Sequence, residues 1–345
     1  MKKPVLAITM GDPAGIGPEV TVKALQYRDL WDKCIPIVVG DAYVLEDALR
    51  FSGFNRTIRS IGKPEEAIGE PGTIECVDLH ALAPEKYQYG QVSAACGEAA
   101  FQYVVKAIEY AQAGRVAGVV TAPINKEALH LAGHYYSGHT EIFADYTHTP
   151  HYAMLLMSGK LRVIHCTTHV SMRKACDLIT RERVSEVIGL ADQAMRMMGL
   201  EHYTIGVAGL NAHCSENGLF GTEEAEAISP AIQDAKERGI PVEGPIPPDT
   251  VFVKALAGQY DIVVAMYHDQ GHIPLKVVGF QLDAATGRFT SMSGINTTIG
   301  LPILRTSVDH GTAFDKAGKN LANEASMVEA LQLAAQMAPY YQKKE

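Results

Sequence analysis

Three histidines of this sequence, His169, His213 and His268, each follow a short apolar run that predicts a buried strand. Because parallel strands end at one edge of a sheet, the three imidazoles could converge there. Neutral imidazole is a ligand of Zn²⁺, and three protein ligands leave one coordination position open for a substrate. A single histidine at a strand end is more often a hydrogen-bonded core or surface residue, so that alternative stays open.

Two carboxylates and two thiols accompany these histidines. Asp269 is next to His268 and could orient it or act as an acid or base. Asp249 follows a double proline and could equally be a helix N-cap. Cys166 and Cys214 could be soft metal ligands, although buried free thiols are the simpler interpretation.

A second set of residues could bind an anion. His139 and Thr140 follow a glycine-containing turn and open a helical pattern, so backbone N–H groups and a hydroxyl could face a phosphate there. The alternative is an ordinary helix start with Thr140 as its N-cap. Lys276, Asn296 and Arg305 are isolated polar residues among apolar neighbours. Arg305 could clamp an anionic ligand or pair with an internal carboxylate.

The glycine-rich turn at residues 10–19 follows the first predicted strand. Its spacing is neither the dinucleotide fingerprint nor a P-loop, so a Rossmann site has little support. Asp41 at the end of the second strand is therefore a weak candidate for a ribose contact. No G-x-S-x-G nucleophile elbow occurs in the sequence.

Apolar runs of strand length alternate with amphipathic runs of helical length, which predicts an α/β fold with largely parallel strands. The length of 345 residues favours two lobes. The predicted strands are residues 5–9, 35–39, 118–121, 154–157, 161–165, 205–208 and 262–266. The predicted helices include residues 97–112, 184–198, 223–237 and 325–337. Residues 281–294, rich in Gly, Ser, Thr and Ala, predict a mobile surface loop or lid.

The charge balance argues against two classes of partner. Thirty basic residues against 39 acidic ones give a net charge of −9, so neither a nucleic-acid nor a membrane surface is expected. The first apolar run is too short for a signal peptide, and no run reaches the roughly 18 residues of a membrane span. Six scattered cysteines without a C-x-x-C pair fit free thiols in a reducing cytoplasm.

Five motifs in order along the chain resemble the 4-hydroxythreonine-4-phosphate dehydrogenase family of pyridoxal phosphate biosynthesis. They lie at residues 8–19, 138–141, 248–252, 265–271 and 305–313. The resemblance covers nearly the whole chain. It implies two interleaved α/β lobes with a central cleft, similar to isocitrate and isopropylmalate dehydrogenases, and a homodimer. We expect residues 1–125 with 300–345 to form the cofactor lobe and residues 126–299 the lobe with the metal, substrate and dimer contacts.

The resemblance also implies roles for individual residues. His169, His213 and His268 would bind a divalent metal, with one histidine supplied by the partner subunit. Zn²⁺ suits these ligands, and Mg²⁺, Mn²⁺ or Co²⁺ could also serve. The implied substrate contacts are His139, Thr140, Lys276, Asn296 and Arg305, and the implied cofactor loop contains His310, Gly311, Thr312 and Asp315. Lys276, Asp249 and Asp269 are the candidates for proton transfer. No arginine cluster accompanies the cofactor loop, which favours NAD over NADP.

The implied reaction is oxidation and decarboxylation of a phosphorylated hydroxy acid. Residues 281–294 are about ten residues longer than expected for the biosynthetic enzyme, and residues 127–134, 216–221 and 271–276 look more like a sister branch. That branch oxidises D-threonate or D-erythronate 4-phosphate to dihydroxyacetone phosphate. A dehydrogenase of aromatic cis-dihydrodiols in the same family is one alternative. A catalytically silent binding protein with the same fold is another, against which the complete set of histidines, Lys276 and Arg305 argues.

Overall fold

A computed structural model describes residues 3–284, 288–292 and 294–342. Strands are β1 (Val5–Thr9), β2 (Ile35–Gly40), β3 (Thr57–Ile61), β4 (Thr73–Asp78), β5 (Gly118–Thr121), β6 (Ala153–Ser158), β7 (Leu161–His165), β8 (Ile205–Ala208), β9 (Val242–Ile246), β10 (Ile262–Ala265), β11 (Phe280–Asp283), β12 (Arg288–Met292), β13 (Ile295–Ile299) and β14 (Arg305–Val308). Helices are α1 (Gly17–Ala24), α2 (Arg28–Lys33), α3 (Ala42–Ser52), α4 (Ala94–Gln112), α5 (Lys126–Leu131), α6 (His139–Tyr146), α7 (Met172–Leu178), α8 (Arg181–Met197), α9 (Ser229–Glu237), α10 (Val251–Leu256), α11 (His268–Gly279) and α12 (Ala325–Gln342).

The chain divides into two compact units. Unit 1 contains the described residues up to Pro150 and those from Leu301 onward, and unit 2 contains His151–Gly300. Residues 126–150, which the sequence analysis placed in the second lobe, therefore lie in unit 1. Their helices α5 and α6 both pack against α4, which is why they group with it.

Unit 1 is built on a parallel sheet with the strand order β3-β4-β2-β1-β5-β14. The apolar runs of β1 and β5 are almost wholly buried. Uninterrupted apolar strands are what a parallel sheet covered on both faces requires. Loops that contain candidate site residues follow the carboxyl ends of these strands. One of them is the glycine-rich turn that leads into α1.

Unit 2 has the strand order β13-β6-β7-β10-β8-β9, in which β6 runs antiparallel to both of its neighbours. The strands β7, β10, β8 and β9 are parallel, so their carboxyl ends share one edge. Helix α8 begins where the Thr180 hydroxyl oxygen accepts a hydrogen bond from the Arg183 amide at 3.2 Å, an ordinary N-cap. No helix in the described ranges combines the length and hydropathy needed to cross a lipid bilayer.

Two predicted segments differ from the structure. Much of the stretch at residues 281–294 is not an irregular loop, because β11 and β12 pair as an antiparallel hairpin; residues 285–287 and 293 lie outside the described residues. The predicted helix at residues 223–237 begins as a π-helical turn, Glu224–Ile228, before α9 continues it.

Candidate active site

Arg305 lies at the centre of a buried polar group in unit 1. It is the first residue of β14, only 2% exposed, and its guanidinium donates to the Thr121 hydroxyl at 3.0 Å and to the Thr140 hydroxyl at 3.5 Å. Burial lowers the pKa of Arg305 to about 9, while the nearby charge of Glu141 acts in the opposite direction. The structure thus brings together Arg305 and Thr140, two of the residues predicted to bind an anion.

The start of α6 adds a third member to this group. Gly138 is the N-cap and contributes no side chain, so the prediction of Thr140 as an ordinary cap is wrong. His139 is the first helical residue, and burial together with the charge of Arg305 holds its pKa well below the usual range. Its imidazole is therefore neutral at pH 7, and its Nε2 atom has no hydrogen-bond partner among the described residues. An unsatisfied buried imidazole nitrogen next to an arginine fits a site that receives a polar ligand.

Unit 2 brings two of the three predicted metal ligands together. His169 follows β7 and His268 opens α11, and their ring centroids are 5.7 Å apart. Both line one cavity of about 430 Å³ that also includes Asp269 and Tyr267. His268 Nδ1 lies 2.7 Å from Asp269 Oδ1. This carboxylate orients the imidazole and leaves Nε2 as the nitrogen that can bind a metal.

His213 lies in a different cavity of unit 2. That cavity has a volume of about 890 Å³ and is lined by residues of the loop after β8, by the π-helical turn and by the loop after β9. The His213 side chain is 61% exposed, and its Nδ1 lies 2.9 Å from Glu216 Oε1. The three histidines therefore do not converge within one chain: His169 and His268 share a cavity, and His213 lines another.

The donor set nevertheless fits a divalent ion. His268 and His213 both have a carboxylate on Nδ1, the arrangement that prepares Nε2 for coordination. Among the residues that the structure describes, no three His, Cys, Asp or Glu side chains gather in one chain as a metal site would require. Two imidazoles from one chain need at least one further ligand from elsewhere.

The two cysteines near these histidines are poor candidates for metal ligands. Burial raises the pKa of Cys166 to about 12, and its thiol is almost fully enclosed. Burial and the charge of Glu224 raise the pKa of Cys214 to about 11. Because of these raised pKa values, both side chains are neutral thiols at pH 7. A cysteine binds a metal as the thiolate, so each would first have to lose its proton.

Helix α11 presents three polar residues on one face. His268, His272 and Lys276 are each four residues apart, a spacing that places their side chains along one side of a helix. The rings of His268 and His272 stack at 3.6 Å with an interplanar angle of 11°. Lys276 Nζ lies 4.3 Å from the centroid of the Phe280 ring. The sequence analysis missed His272, although its spacing from His268 was a usable signal.

The row of imidazoles continues into the core of unit 2. His165, at the end of β7, has its ring centroid 4.8 Å from that of His272. Its Nδ1 is 3.2 Å from the Met154 carbonyl oxygen, and a side chain at Gly271 would collide with its Nε2. Burial, with a contribution from His272, lowers the pKa of His165 to about 3, so it is a neutral packing partner.

Other predicted residues of unit 2 are placed as follows. Asn296 lies in β13, and its buried Oδ1 accepts no hydrogen bond within the described part of the chain. Asp249 is exposed and precedes Thr250, which is the N-cap of α10, so Asp249 is not the cap. Its charge helps to raise the pKa of Cys214, which places it near the loop that carries His213.

The predicted cofactor loop packs against the glycine-rich turn in unit 1. The Ile16 amide donates to the Thr312 carbonyl oxygen at 3.0 Å, and Gly15 lies against the Thr312 side chain. A Cβ built on Gly311 would meet no atom within 4 Å, so this backbone faces open space. His310 Nδ1 is 3.1 Å from the Gly311 carbonyl oxygen, and the Asp315 carbonyl oxygen accepts from Lys319 at 2.7 Å. A backbone surface with open space beside it fits a dinucleotide.

Two aspartates near the strand ends of unit 1 behave differently. Asp41 is buried, and its carboxylate accepts from the Ala81 and Leu82 amides and from the Tyr103 hydroxyl, so it is a structural residue. Asp12, in the glycine-rich turn, accepts from the Ala14 amide at 2.9 Å through Oδ1. Its Oδ2 has no partner among the described residues, and burial raises its pKa to about 6. The residues next to Asp12 in the sequence do not indicate that its carboxyl group is buried.

Comparisons with known proteins cover almost the whole chain. Residues 32–334 match the family model described as pyridoxal phosphate biosynthetic protein PdxA. The D-threonate 4-phosphate dehydrogenase of Salmonella typhimurium is 48% identical over 98% of this chain and 100% of its own length.

Two solved structures are informative. The structure of 4-hydroxythreonine-4-phosphate dehydrogenase from Klebsiella pneumoniae aligns with a TM-score of 0.84 at 45% identity, covering 97% of this chain and 100% of that one. A terephthalate 1,2-cis-dihydrodiol dehydrogenase from Burkholderia xenovorans aligns with a TM-score of 0.68 at 32% identity, covering 97% and 98% of the two chains. The chain therefore belongs to the PdxA family and is an oxidoreductase that acts on a CH–OH group.

Proposed function

We propose that the chain catalyses the metal- and NAD-dependent oxidation and decarboxylation of a 4-phosphorylated 3-hydroxy acid. D-threonate or D-erythronate 4-phosphate is the proposed substrate and dihydroxyacetone phosphate the product. The observation that carries this proposal is the buried group of Arg305, Thr140 and His139 at the start of α6. The name of the Salmonella relative supports the sugar-acid phosphates, and 4-hydroxy-L-threonine 4-phosphate is the alternative in the same class.

Arg305 and the first turn of α6 bind the phosphate in this proposal. A guanidinium donates to phosphate oxygens through two parallel hydrogen bonds, and burial strengthens that interaction. The Thr140 hydroxyl and the backbone N–H groups of the first turn add further donors. These contacts are remote from the reacting carbon, so they supply binding energy that aligns the substrate.

His169, His268 and a His213 contributed by a partner subunit are the proposed ligands of a divalent ion, Zn²⁺ first and Mg²⁺, Mn²⁺ or Co²⁺ as alternatives. The bound ion would supply Lewis acidity at the hydroxyl that is oxidised, and NAD would supply the hydride acceptor. His310, Gly311, Thr312 and Asp315 would hold the dinucleotide. The carboxylates of Asp269 and Glu216 keep the imidazoles in the orientation that coordination needs.

In this proposal, side chains of α11 and of the loop before α10 transfer the protons. Lys276, on the same face of α11 as His268, would take the hydroxyl proton and later return a proton to the carbon that loses CO₂. Asp249 is the alternative base, because it lies near the loop that carries His213. Asp269 acts through His268 rather than on the substrate. Asn296, with an unused buried acceptor, would bind a substrate hydroxyl.

A homodimer follows from the shared metal site. Exposed apolar side chains on α10 and α11, including Val253, Ile273 and Val277, support an interface on unit 2. The cysteines Cys34, Cys76, Cys96 and Cys166 are buried as free thiols, which supports a reducing, cytoplasmic location.

The decisive experiment measures NADH formation and CO₂ release with D-threonate, D-erythronate and 4-hydroxy-L-threonine 4-phosphates, each with and without added Zn²⁺, Mg²⁺ or Mn²⁺. We expect the highest kcat/KM with the two sugar-acid phosphates. Phosphate-free D-threonate should be a poorer substrate by at least about 100-fold, since the buried arginine then lacks its anion.

Other outcomes would redirect the assignment. Preference for the amino-acid phosphate would move the enzyme to pyridoxal phosphate synthesis. Equal turnover of phosphorylated and phosphate-free substrates would remove the phosphate role of Arg305. Turnover of an aromatic cis-dihydrodiol in its place would favour the activity named for the Burkholderia structure.

A further inference from the structure

The loop that carries His213 has an unusual backbone. Five consecutive residues without a glycine, His213–Asn217, have φ angles between 45° and 66°, and we refer to them as the left-handed segment. L-amino acids rarely adopt this region, because Cβ then lies too close to the following carbonyl oxygen. Such a conformation persists only where the surrounding structure determines it, and it occurs preferentially at functional sites.

The carboxylate of Glu224 is the centre of the contacts that hold this segment. Glu224 Oε1 accepts from the amides of Leu210 at 2.8 Å and Asn211 at 2.7 Å. Its Oε2 accepts from Asn211 Nδ2 at 2.9 Å and from the Ser215 hydroxyl. Burial opposes the ionisation of Glu224, but the hydrogen bonds from Ser215 and Asn211 outweigh it and lower its pKa. The Glu224 side chain is thus a buried carboxylate, and these four hydrogen bonds all come from the loop that carries His213.

The surroundings are shaped to admit this carboxylate. Glu224 begins the π-helical turn, a type of irregularity that is frequent at functional sites. A Cβ at Gly209 would lie 2.8 Å from Cys214 Sγ and 3.2 Å from Glu224 Oε1. A Cβ at Gly221 would lie 2.7 Å from Asn211 Nδ2. Both glycines therefore leave the space in which the loop and the carboxylate meet.

The contacts of Glu224 flank His213 on both sides. Asn211 is two residues before it and Ser215 two residues after it, and both are tied to the one carboxylate. His213 Nδ1 pairs with Glu216 rather than with Glu224, and the His213 side chain is exposed. The arrangement directs the imidazole outward and fixes the backbone behind it.

We propose that Glu224 is a positioning residue that holds the left-handed segment in place and so presents His213 as a metal ligand. The inference rests on the proposed function, in which His213 coordinates the divalent ion. It adds a residue that touches neither substrate nor cofactor but acts through the backbone on either side of a ligand.

The test compares Glu224→Gln with Glu226→Gln, an exposed glutamate on the same π-helical turn. Hydrogen exchange of the amides at residues 211–217 and the Zn²⁺ affinity of the metal-free dimer, by calorimetry, are the two readouts. For Glu224→Gln we expect exchange to accelerate at least about tenfold and the Kd for Zn²⁺ to rise about 10–100-fold. Glu226→Gln should match the wild type in both.

Two double variants show whether Glu224 acts in the proposed way. In a His213→Ala background, Glu224→Gln should cause no further loss of Zn²⁺ affinity, because the ligand it positions is already absent. Glycine adopts positive φ without cost, so Ser215→Gly added to Glu224→Gln should recover part of the exchange protection. Recovery would also show that the single variant is folded.

The outcomes separate this inference from the proposed function. Unchanged hydrogen exchange at residues 211–217 in Glu224→Gln would overturn the positioning role, whether or not the Zn²⁺ affinity changes. If Glu224→Gln lowers the Zn²⁺ affinity as much in the His213→Ala background as in the wild type, then Glu224 does not act on the metal through His213. If His213→Ala retains full Zn²⁺ affinity, the metal role of His213 fails and this inference fails with it, even where exchange accelerates.

Discussion

Arg305 shows how much a single side chain can do when it is buried beside hydroxyl groups rather than exposed. Its fork of donors matches a phosphate, and a lysine would keep the charge while losing the paired hydrogen bonds. We predict that Arg305→Lys raises KM for phosphorylated substrates about 10–100-fold and changes turnover of phosphate-free analogues little. Steady-state kinetics with both substrate types measure this difference.

The control for that variant is Arg115→Lys. Arg115 is a half-buried residue of unit 1 that pairs with Glu65 at 2.6 Å, so its replacement should leave KM unchanged. An equal loss with phosphorylated and phosphate-free substrates in Arg305→Lys would mean that the arginine supports the fold rather than the phosphate.

Asp12 provides a prediction about stability and pH. Its pKa is raised from 3.8 to about 6 by burial, so the folded state favours the protonated acid. The resulting stabilisation is complete below pH 3.8 and is lost as the pH rises through 6. Asp12→Asn keeps an acceptor for Ala14 without the charge, so it should raise the free energy of unfolding at pH 8 by up to ~3 kcal/mol.

Urea unfolding between pH 4 and pH 8 measures the effect, with Asp29→Asn on α2 as the exposed control. We expect the gain from Asp12→Asn to shrink towards zero at about pH 4. A gain that does not vary with pH would show that the carboxylate is not the source. A buried charge that lowers stability is retained where function requires it, which makes Asp12 a candidate for kinetic study.

At the level of single residues, the sequence predicts a candidate site residue best where the side-chain type itself indicates the ligand, as an arginine indicates an anion. The family resemblance implies that Arg305 and Thr140 contact the same substrate, and the Arg305 guanidinium lies 3.5 Å from the Thr140 hydroxyl. The burial of Asp12 and the hydrogen bonds of Glu224 could not be predicted. Both depend on which distant segments enclose the carboxyl group, and nothing in their neighbouring residues indicates that.

Among the elements, helix α11 joins the predicted metal ligand to the predicted proton carrier. His272 stands between His268 and Lys276 on the same helix face, with its ring against His268. We predict that His272→Leu weakens Zn²⁺ binding about three- to tenfold, because the stacked ring that fixes His268 is gone, whereas His272→Phe retains most of the affinity. Calorimetry on the metal-free protein provides the measurement.

His202→Leu replaces an exposed histidine of unit 2 and should leave the affinity unchanged. If His272→Phe and His272→Leu weaken Zn²⁺ binding equally, the stacking explanation is wrong, and a polar contact of His272 must account for the loss.

The elements themselves were predicted best where the apolar pattern is uninterrupted. The strands β1, β5, β7 and β8 have the predicted bounds, because each contains a run of buried apolar residues. The strands β3 and β9 are among those that the sequence does not predict, because β3 has only two apolar residues and β9 contains glycine and proline. The composition of the β11–β12 segment resembles that of turns, so the sequence predicts a loop where the structure has a hairpin.

At the scale of the whole molecule, the distribution of the histidines leads to a prediction about subunits. If the ion is bound by His169 and His268 of one subunit and by a partner's His213, neither His213→Ala nor His268→Ala alone should be active. Mixing the two inactive variants, with exchange of subunits, should restore about a quarter of the wild-type activity, because half of the dimers are mixed and each has one intact site.

Activity after mixing is the measurement, and mixing His169→Ala with His268→Ala is the control. Those two changes fall on the same side of the proposed site, so this pair should stay inactive. Recovery in both mixtures, or in neither, would contradict a site divided between subunits in this way. The sequence alone could not predict this separation, because strand-end positions indicate a shared edge but not which cavity each loop lines.

Unit 1 is assembled from two stretches of chain with the whole of unit 2 between them. Thr140 and Arg305, whose side chains are hydrogen-bonded to each other in unit 1, are 165 residues apart in the sequence. During synthesis the ribosome needs roughly 10–30 s to add that many residues. Over that interval β5 lacks β14, and a nascent chain carries an open, apolar strand edge that can pair with other chains. Production of this protein should therefore depend on chaperone supply and translation rate more than its folded stability would suggest, whereas residues 151–300 emerge as one uninterrupted stretch.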